Sequence, residues 1–183
     1  MWTKAGKQAL QTYAIWTQQN NTSNAKPMFP NSSIRNTSNQ ERWVSYVNGH
    51  LYSSFNYATN LNQGLHIGSG TTAPTENDYK LQTQITSGIN VVLTGTIRGV
   101  DTNNLPYMDL TYTITNTSSS NITIAELGLV SQNIYCCASS TATSATSNQV
   151  LLDRTLLSTP ITIPTSETAA VKYRITCEMN FTQ

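Results

Sequence analysis

The stretch VKYRITCEMNF, residues 171–181, alternates with a period of two. Val171, Tyr173, Ile175, Cys177, Met179 and Phe181 share one side, and Lys172, Arg174, Thr176, Glu178 and Asn180 share the other. Side chains along a β-strand point alternately to its two faces, so this pattern predicts a strand with one core face and one wet face. Residues 107–115 repeat it. Met108, Leu110, Tyr112 and Ile114 lie on one side, with Tyr107, Asp109, Thr111, Thr113 and Thr115 on the other.

Further strands follow from the same reading. WVSYV (43–47) and residues 51–57 read as short strands about Asn48-Gly49, a favoured two-residue hairpin turn. Residues 65–67, 89–100, 122–130 and 149–157 read as strands as well. Leu105-Pro106 and NTSSSN (116–121) separate them as turns, and ASSTATSATSN (138–148) reads as a mobile exposed loop. Many antiparallel strands joined by turns predict a mainly β chain, a β-sandwich or a jelly roll. Alternation alone leaves both topologies open.

The first forty residues have another texture. Residues 3–17 are the helix candidate, with Ala9, Leu10, Tyr13, Ala14 and Trp16 or Thr17 near one face. Thr3 is placed to cap it, while Gly6 weakens its interior. Residues 18–40 are polar, and Pro27 and Pro30 forbid regular structure there. They read as an extended Asn/Pro-rich arm, with Met28, Phe29 and Ile34 as contacts for a neighbouring subunit. The expected division is therefore helix plus arm over 1–40 and a β-sandwich over 41–183.

Charged residues make up only 10% of the chain, and the net charge is +1. No basic stripe exists to neutralise a phosphate backbone, so direct nucleic-acid binding is not expected. Ser, Thr and Asn carry the polarity, and little charge repels one copy from another, which suits a homo-oligomer. No run approaches the ~18 apolar residues of a membrane span, and no secretion signal is expected at the start. Cys136, Cys137 and Cys177 are an odd set with two adjacent, a poor disulfide framework; they are expected to be reduced, with Cys177 on a core face.

The segment HIGSGTTAPTENDYKL (66–81) invites a chemical reading. A P-loop needs a lysine after its second glycine, and none stands there. A dinucleotide loop needs a third glycine, and a nucleophile elbow needs glycines two residues either side of the serine. The residues fit a structural bend instead, with Gly68, Gly70 and Pro74 shaping the backbone and Gly68 or Gly70 at positive φ. A turn at Glu76-Asn77-Asp78 follows. His50 and His66 are the only histidines, His50 at a turn and His66 beside the bend on a wet face. Asp101, Asn103 and Asn104 open like a calcium loop but lack its later glycine and glutamate, so DTNNLP reads as a turn. No catalytic, cofactor or metal set is expected, and no enzymatic activity.

Several short runs, taken in order, resemble a family of bacteriophage virion accessory and tail-fibre-like proteins. Thr3, Gly6, Ala9 and Leu10 match its T-x-x-G-x-x-A-L opening. IGSGTTAPTENDYKL (67–81) matches I-G-x-G-T-T-A-P-T-x-x-D-x-x-L. Ile114-Thr115-Asn116-Thr117 and ITIAELGL (122–129) match its later hairpin, and Leu151, Arg154, Leu157, Pro160 and Ile163 fall in its strand pair before the closing strand. The resemblance implies a non-enzymatic virion structural protein: a capsid decoration, head-fibre or collar, or tail adaptor component. It would be assembled in the host bacterial cytoplasm and partnered by other virion proteins. The alternative is a host-surface glycan-binding module of a phage fibre, with Tyr46, Tyr52, Phe55 and Tyr57 as a stacking patch.

Overall fold

The computed structural model describes residues 1–15, 26–47 and 63–176, with side chains of the helix described as far as Gln11. It is mainly β and antiparallel, with one helix at the N-terminal end, the class expected. In chain order the elements are α1 (Lys4–Ile15), β1 (Ile34–Arg35), β2 (Glu41–Val47), β3 (Gly64–Gly68), β4 (Ile89–Val100), β5 (Pro106–Asn116), β6 (Ile122–Cys137), β7 (Ala145–Ile163) and β8 (Thr168–Thr176). The hairpin expected about Asn48-Gly49, the strand over 51–57, His50 and Cys177 lie outside the described residues.

The chain forms two units, one of Met1–Thr86 with Thr123–Thr162, the other of Ser87–Ile122 with Ile163–Gln183. This corrects the division at residue 40. The helix and the segment expected to be an arm belong to the same unit as β2, β3, β6 and β7.

In the first unit β6 is the central strand. Its residues 134–137 pair with β2 and its residues 126–130 with β3, while β7 also pairs with it. Ile124 to Ser131 are buried on both faces, which is why this strand lacks a polar-out alternation. Residues 1–3 run antiparallel along β7: Thr3 N donates to Leu152 O and Arg154 N to Met1 O. Helix α1 then starts under two constraints. Thr3 Oγ1 accepts the Gly6 amide at 3.0 Å, an N-cap, and itself donates to Leu151 O at 2.6 Å. A Cβ at Gly6 would collide with the Leu152 carbonyl, so the glycine that weakens the helix lets it lie on β7. Ala5, Gln8 and Ala9 make the buried face, one helical turn apart, and the helix packs on β1 and β2.

The extended-arm reading fails over residues 26–40, which are stitched into this unit. Met28 N donates to Val44 O, and Ser45 Oγ to Lys26 O. β1 pairs with β2, Ile34 opposite Arg42. Thr37 N donates to Gln149 O, and Asn36 Nδ2 to Asn148 Oδ1. A low count of apolar residues does not prevent docking here, because backbone groups and Asn and Thr side chains carry it. Residues 18–25 lie outside the described residues. Residues 138–148 are also shorter as a loop than expected: β7 begins at Ala145, and Ala145 is buried against Tyr46 and Cys137.

In the second unit β5 lies between β4 and β8. Leu110, Tyr112, Ile114, Val171 and Tyr173 are buried on one face of β5 and β8, as the alternation requires, and Asp109 is buried on the other. On the other face Asp109 meets Arg174 in a two-pronged pair, Oδ1–Nε 2.7 Å and Oδ2–Nη2 2.8 Å, with the guanidinium 4.1 Å from the Tyr107 ring centre. Asn116, wholly buried, organises one end. Its Nδ2 donates to Ser120 O and Ile163 O, and its Oδ1 accepts from Ser118 N and Oγ. At the other end Asp101 Oδ1 accepts the Asn103 and Leu105 amides, and DTNNLP is a turn as expected.

Candidate functional site: a surface loop clasped over a buried ion pair

The Gly-rich segment leaves β3 and returns at residues 83–85, where Ser69 N donates to Thr83 O and Ile85 N to Ile67 O. Beneath it stands Glu126 of β6, wholly buried. Its Oε1 accepts the Gly70 amide at 3.1 Å and the Thr83 amide at 2.7 Å. Its Oε2 accepts the Gln82 amide at 3.1 Å and Arg154 Nε at 2.7 Å. Arg154, from β7, reaches onward. Its Nη1 donates to Asp78 Oδ2 at 2.7 Å and its Nη2 to Thr72 O at 2.9 Å. Asp78 closes its own turn by accepting from Thr75 N and Oγ1. One carboxylate and one guanidinium thus bind the loop at Gly70, Thr72, Asp78, Gln82 and Thr83.

The glycines serve this close approach. A Cβ on Gly68 would stand 2.6 Å from both Glu126 Oε1 and Thr83 O, and one on Gly70 would stand 2.5 Å from Glu126 Oε1. Neither glycine has positive φ; among the described residues the positive-φ glycines are Gly64 and Gly88. The expectation of a left-handed bend at Gly68 or Gly70 is therefore corrected: these positions need space above a carboxylate. Two residues along β6, a Cβ on Gly128 would stand 2.7 Å from Leu81 Cδ2, so Gly128 makes room for the buried Leu81 at the loop's far end. Pro74 is half-buried in the loop.

Burial alone would raise the Glu126 pKa. The Thr83 amide, Arg154 and the Gln82 amide outweigh it and hold the carboxyl below its ordinary range. Asp78 is likewise lowered: burial opposes ionisation, and the Thr75 amide, Arg154 and the Thr75 hydroxyl overcome it. A general acid needs the opposite shift. His66 is buried rather than on a wet face, its Nδ1 3.0 Å from Gln84 Nε2. Among the described residues no three His, Cys, Asp or Glu side chains are grouped to hold a metal.

The remaining sequence expectations fall elsewhere. Ile34 is buried inside its own unit, which withdraws it as a contact for a neighbouring subunit; Met28 and Phe29 are half-buried. Tyr46 is buried and stacked on Tyr135, centroids 4.5 Å apart, so it offers no face to a sugar. Tyr52, Phe55 and Tyr57 lie outside the described residues. Cys136 and Cys137 are buried and not in a disulfide, and burial, with Cys137 alongside, pushes Cys136 up to about 12. The reading of single residues missed Glu126 and Arg154. Their signal was a charge inside an apolar run, AELGLV and LLDRTLL, in a chain with few charges.

Facing outward from the clasp, Ser69, Thr71, Thr72, Ala73, Thr75, Glu76, Asn77 and Lys80 are exposed. The geometry thus spends a saturated ion pair on holding a surface loop in one shape. No known protein family, no curated protein and no solved structure matches the chain.

Proposed function

We propose that the protein is a non-enzymatic structural component of a bacteriophage virion, in a capsid-decoration, head-fibre or collar, or tail-adaptor position. It acts by protein–protein assembly, with other virion proteins as partners. The observation that carries the reading is the convergence of the motif residues behind the resemblance. Gly68, Gly70, Asp78, Leu81, Glu126, Gly128 and Arg154 come from three separate stretches of sequence and meet in one clasp. That these short runs act together as one structural unit in this chain supports reading them together. The loop they hold presents threonine and serine hydroxyls and an asparagine amide beside Glu76 and Lys80, groups that a protein partner would have to meet with hydrogen bonds.

The test is location on the particle. Phage particles from the producing host are banded on a density gradient, and the protein is sought by mass spectrometry and by electron microscopy of a labelled version. The reading requires a fixed copy number at defined positions on the particle. Recovery only in the soluble lysate would overturn it.

A further inference from the structure

We propose that the wet face of the second unit's sheet binds a carboxylated sugar at Arg174 and Lys172. Rows of paired residues cross this face: Gly95–Thr111–Lys172, Ile97–Asp109–Arg174 and Gly99–Tyr107–Thr176. Residues directly opposite one another in antiparallel strands share a face, so these stand together. Asp109, 3% exposed, holds Arg174 through Nε and Nη2, and Lys172 Nζ stands 4.0 Å from its Oδ2. One carboxylate thus faces two cations. Among the described residues Arg174 Nη1 and Lys172 Nζ meet no acceptor within hydrogen-bond distance, and the two side chains are 48% and 60% exposed. Asp101, the next carboxylate felt by Arg174, is occupied by the Asn103 and Leu105 amides.

The guanidinium is held more closely than a cross-strand pair requires. It lies 4.1 Å from the Tyr107 ring centre. A Cβ on Gly99 would stand 2.8 Å from the Tyr107 hydroxyl, so the ring lies over a strand position without a side chain. Glycine inside a strand costs stability and marks a close approach. Gly99 seats Tyr107, Tyr107 backs Arg174, and Asp109 sets the guanidinium plane. A cation ordered in advance loses little conformational entropy when it takes a ligand. Lys172 stands two residues along the same face, about 7 Å away at strand spacing. A carboxylate between them accepts from Arg174 Nη1 with one oxygen and from Lys172 Nζ with the other.

The neighbours select what carries that carboxylate. A Cβ on Gly95 would meet Thr111 only at 3.6 Å, an ordinary contact, so its absence leaves a shallow dip beside the cations. Ile97, 57% exposed, borders the dip. A sugar ring matches this set: hydroxyls for Thr111 Oγ1, a C–H face for Ile97, and ring volume over Gly95. Nucleic acid needs many cations, and here there are two on a chain of net charge +1.

The site stands or falls apart from any position on a particle. The purified full chain, labelled with nitrogen-15, is titrated with glucuronate, galacturonate and N-acetylneuraminate through the millimolar range. Glucose, inorganic phosphate and triglutamate serve as comparisons. Saturable amide shifts at Gly95, Thr111, Lys172 and Arg174 are expected with at least one of the three acidic sugars, and none with glucose. Lys172→Gln, at an exposed position, is expected to weaken that sugar about fivefold. Gly95→Val, which fills the dip and leaves both cations, is expected to weaken it by at least as much. Arg35→Gln, on β1 of the first unit, is expected to bind like wild type. The absence of saturable shifts with all three acidic sugars, shifts centred elsewhere, or wild-type binding by Lys172→Gln overturns the site. Phosphate or triglutamate binding as tightly as the best acidic sugar, or a Gly95→Val variant that binds like wild type, overturns the assignment to a sugar.

Discussion

Arg154 Nε lies 2.7 Å from Glu126 Oε2, with the two residues 2% and 0% exposed. Such a pair repays its desolvation only when the remaining donors and acceptors are also met. Here they are met by the loop: three backbone amides on Glu126, and the Thr72 carbonyl and Asp78 on Arg154. Removing one partner strands the other. Glu126→Ala is expected to cost about 3–5 kcal/mol, read as a fall in denaturant midpoint. Arg154→Met is expected to cost a similar amount, and the double variant less than the sum of the two. Additive costs would mean that the residues act independently.

The clasp makes stability fall in acid. Glu126 and Asp78 are both lowered below their ordinary 4.5 and 3.8. Their contribution is fully present above those values and is lost as pH falls through the lower folded-state values. Melting temperature is expected to be flat from pH 7 to about 5.5 and to drop below about pH 4. Glu126→Gln, which does not titrate, should flatten part of that drop while starting from a lower value. An identical acid slope in the variant would place the loss elsewhere.

Space above a carboxylate differs from φ freedom or a phosphate cradle in what each substitution does. Gly68→Ala and Gly70→Ala each force a methyl onto Glu126 and are expected to lower stability by roughly 1–3 kcal/mol. Ser69→Ala is expected to be nearly silent. Melting curves with and without ATP should coincide for all three variants and the wild type. ATP-induced stabilisation lost in Ser69→Ala would instead make the segment a nucleotide site.

Cys136 and Cys137 should resist thiol reagents in the folded protein. Both are buried, and Cys136 is held near 12, so almost no thiolate exists at pH 8. Labelling with a chromogenic disulfide is expected to await unfolding. Fast native labelling at either position, mapped by peptide mass, would contradict the burial.

What the sequence revealed depended on the range of the interaction. β5 and the described part of β8 were legible because a half-buried strand writes its facing into every second residue. β6 was legible only in part, since a strand buried on both faces shows no alternation. Thr3 as a cap was legible, being local to four residues. The seat of residues 26–40 was not, because Asn36 and Thr37 find partners more than a hundred residues away. Glu126 and Arg154 were visible as charges in apolar runs, yet nothing in either run says that the other exists. Gly68 and Gly70 were recognised as structural for the wrong reason, because sequence shows that a Cβ is missing without showing what would meet it.

The most direct measurement is amide hydrogen exchange at Gly70, Gln82 and Thr83, the three loop amides that donate to Glu126. If Glu126 clasps the loop, these amides are protected in the wild-type protein near neutral pH. In Glu126→Gln they exchange at least tenfold faster while Leu110 and Tyr112 of β5 keep their protection. Free exchange at the three amides in the wild type, or equal protection in the variant, would contradict the clasp.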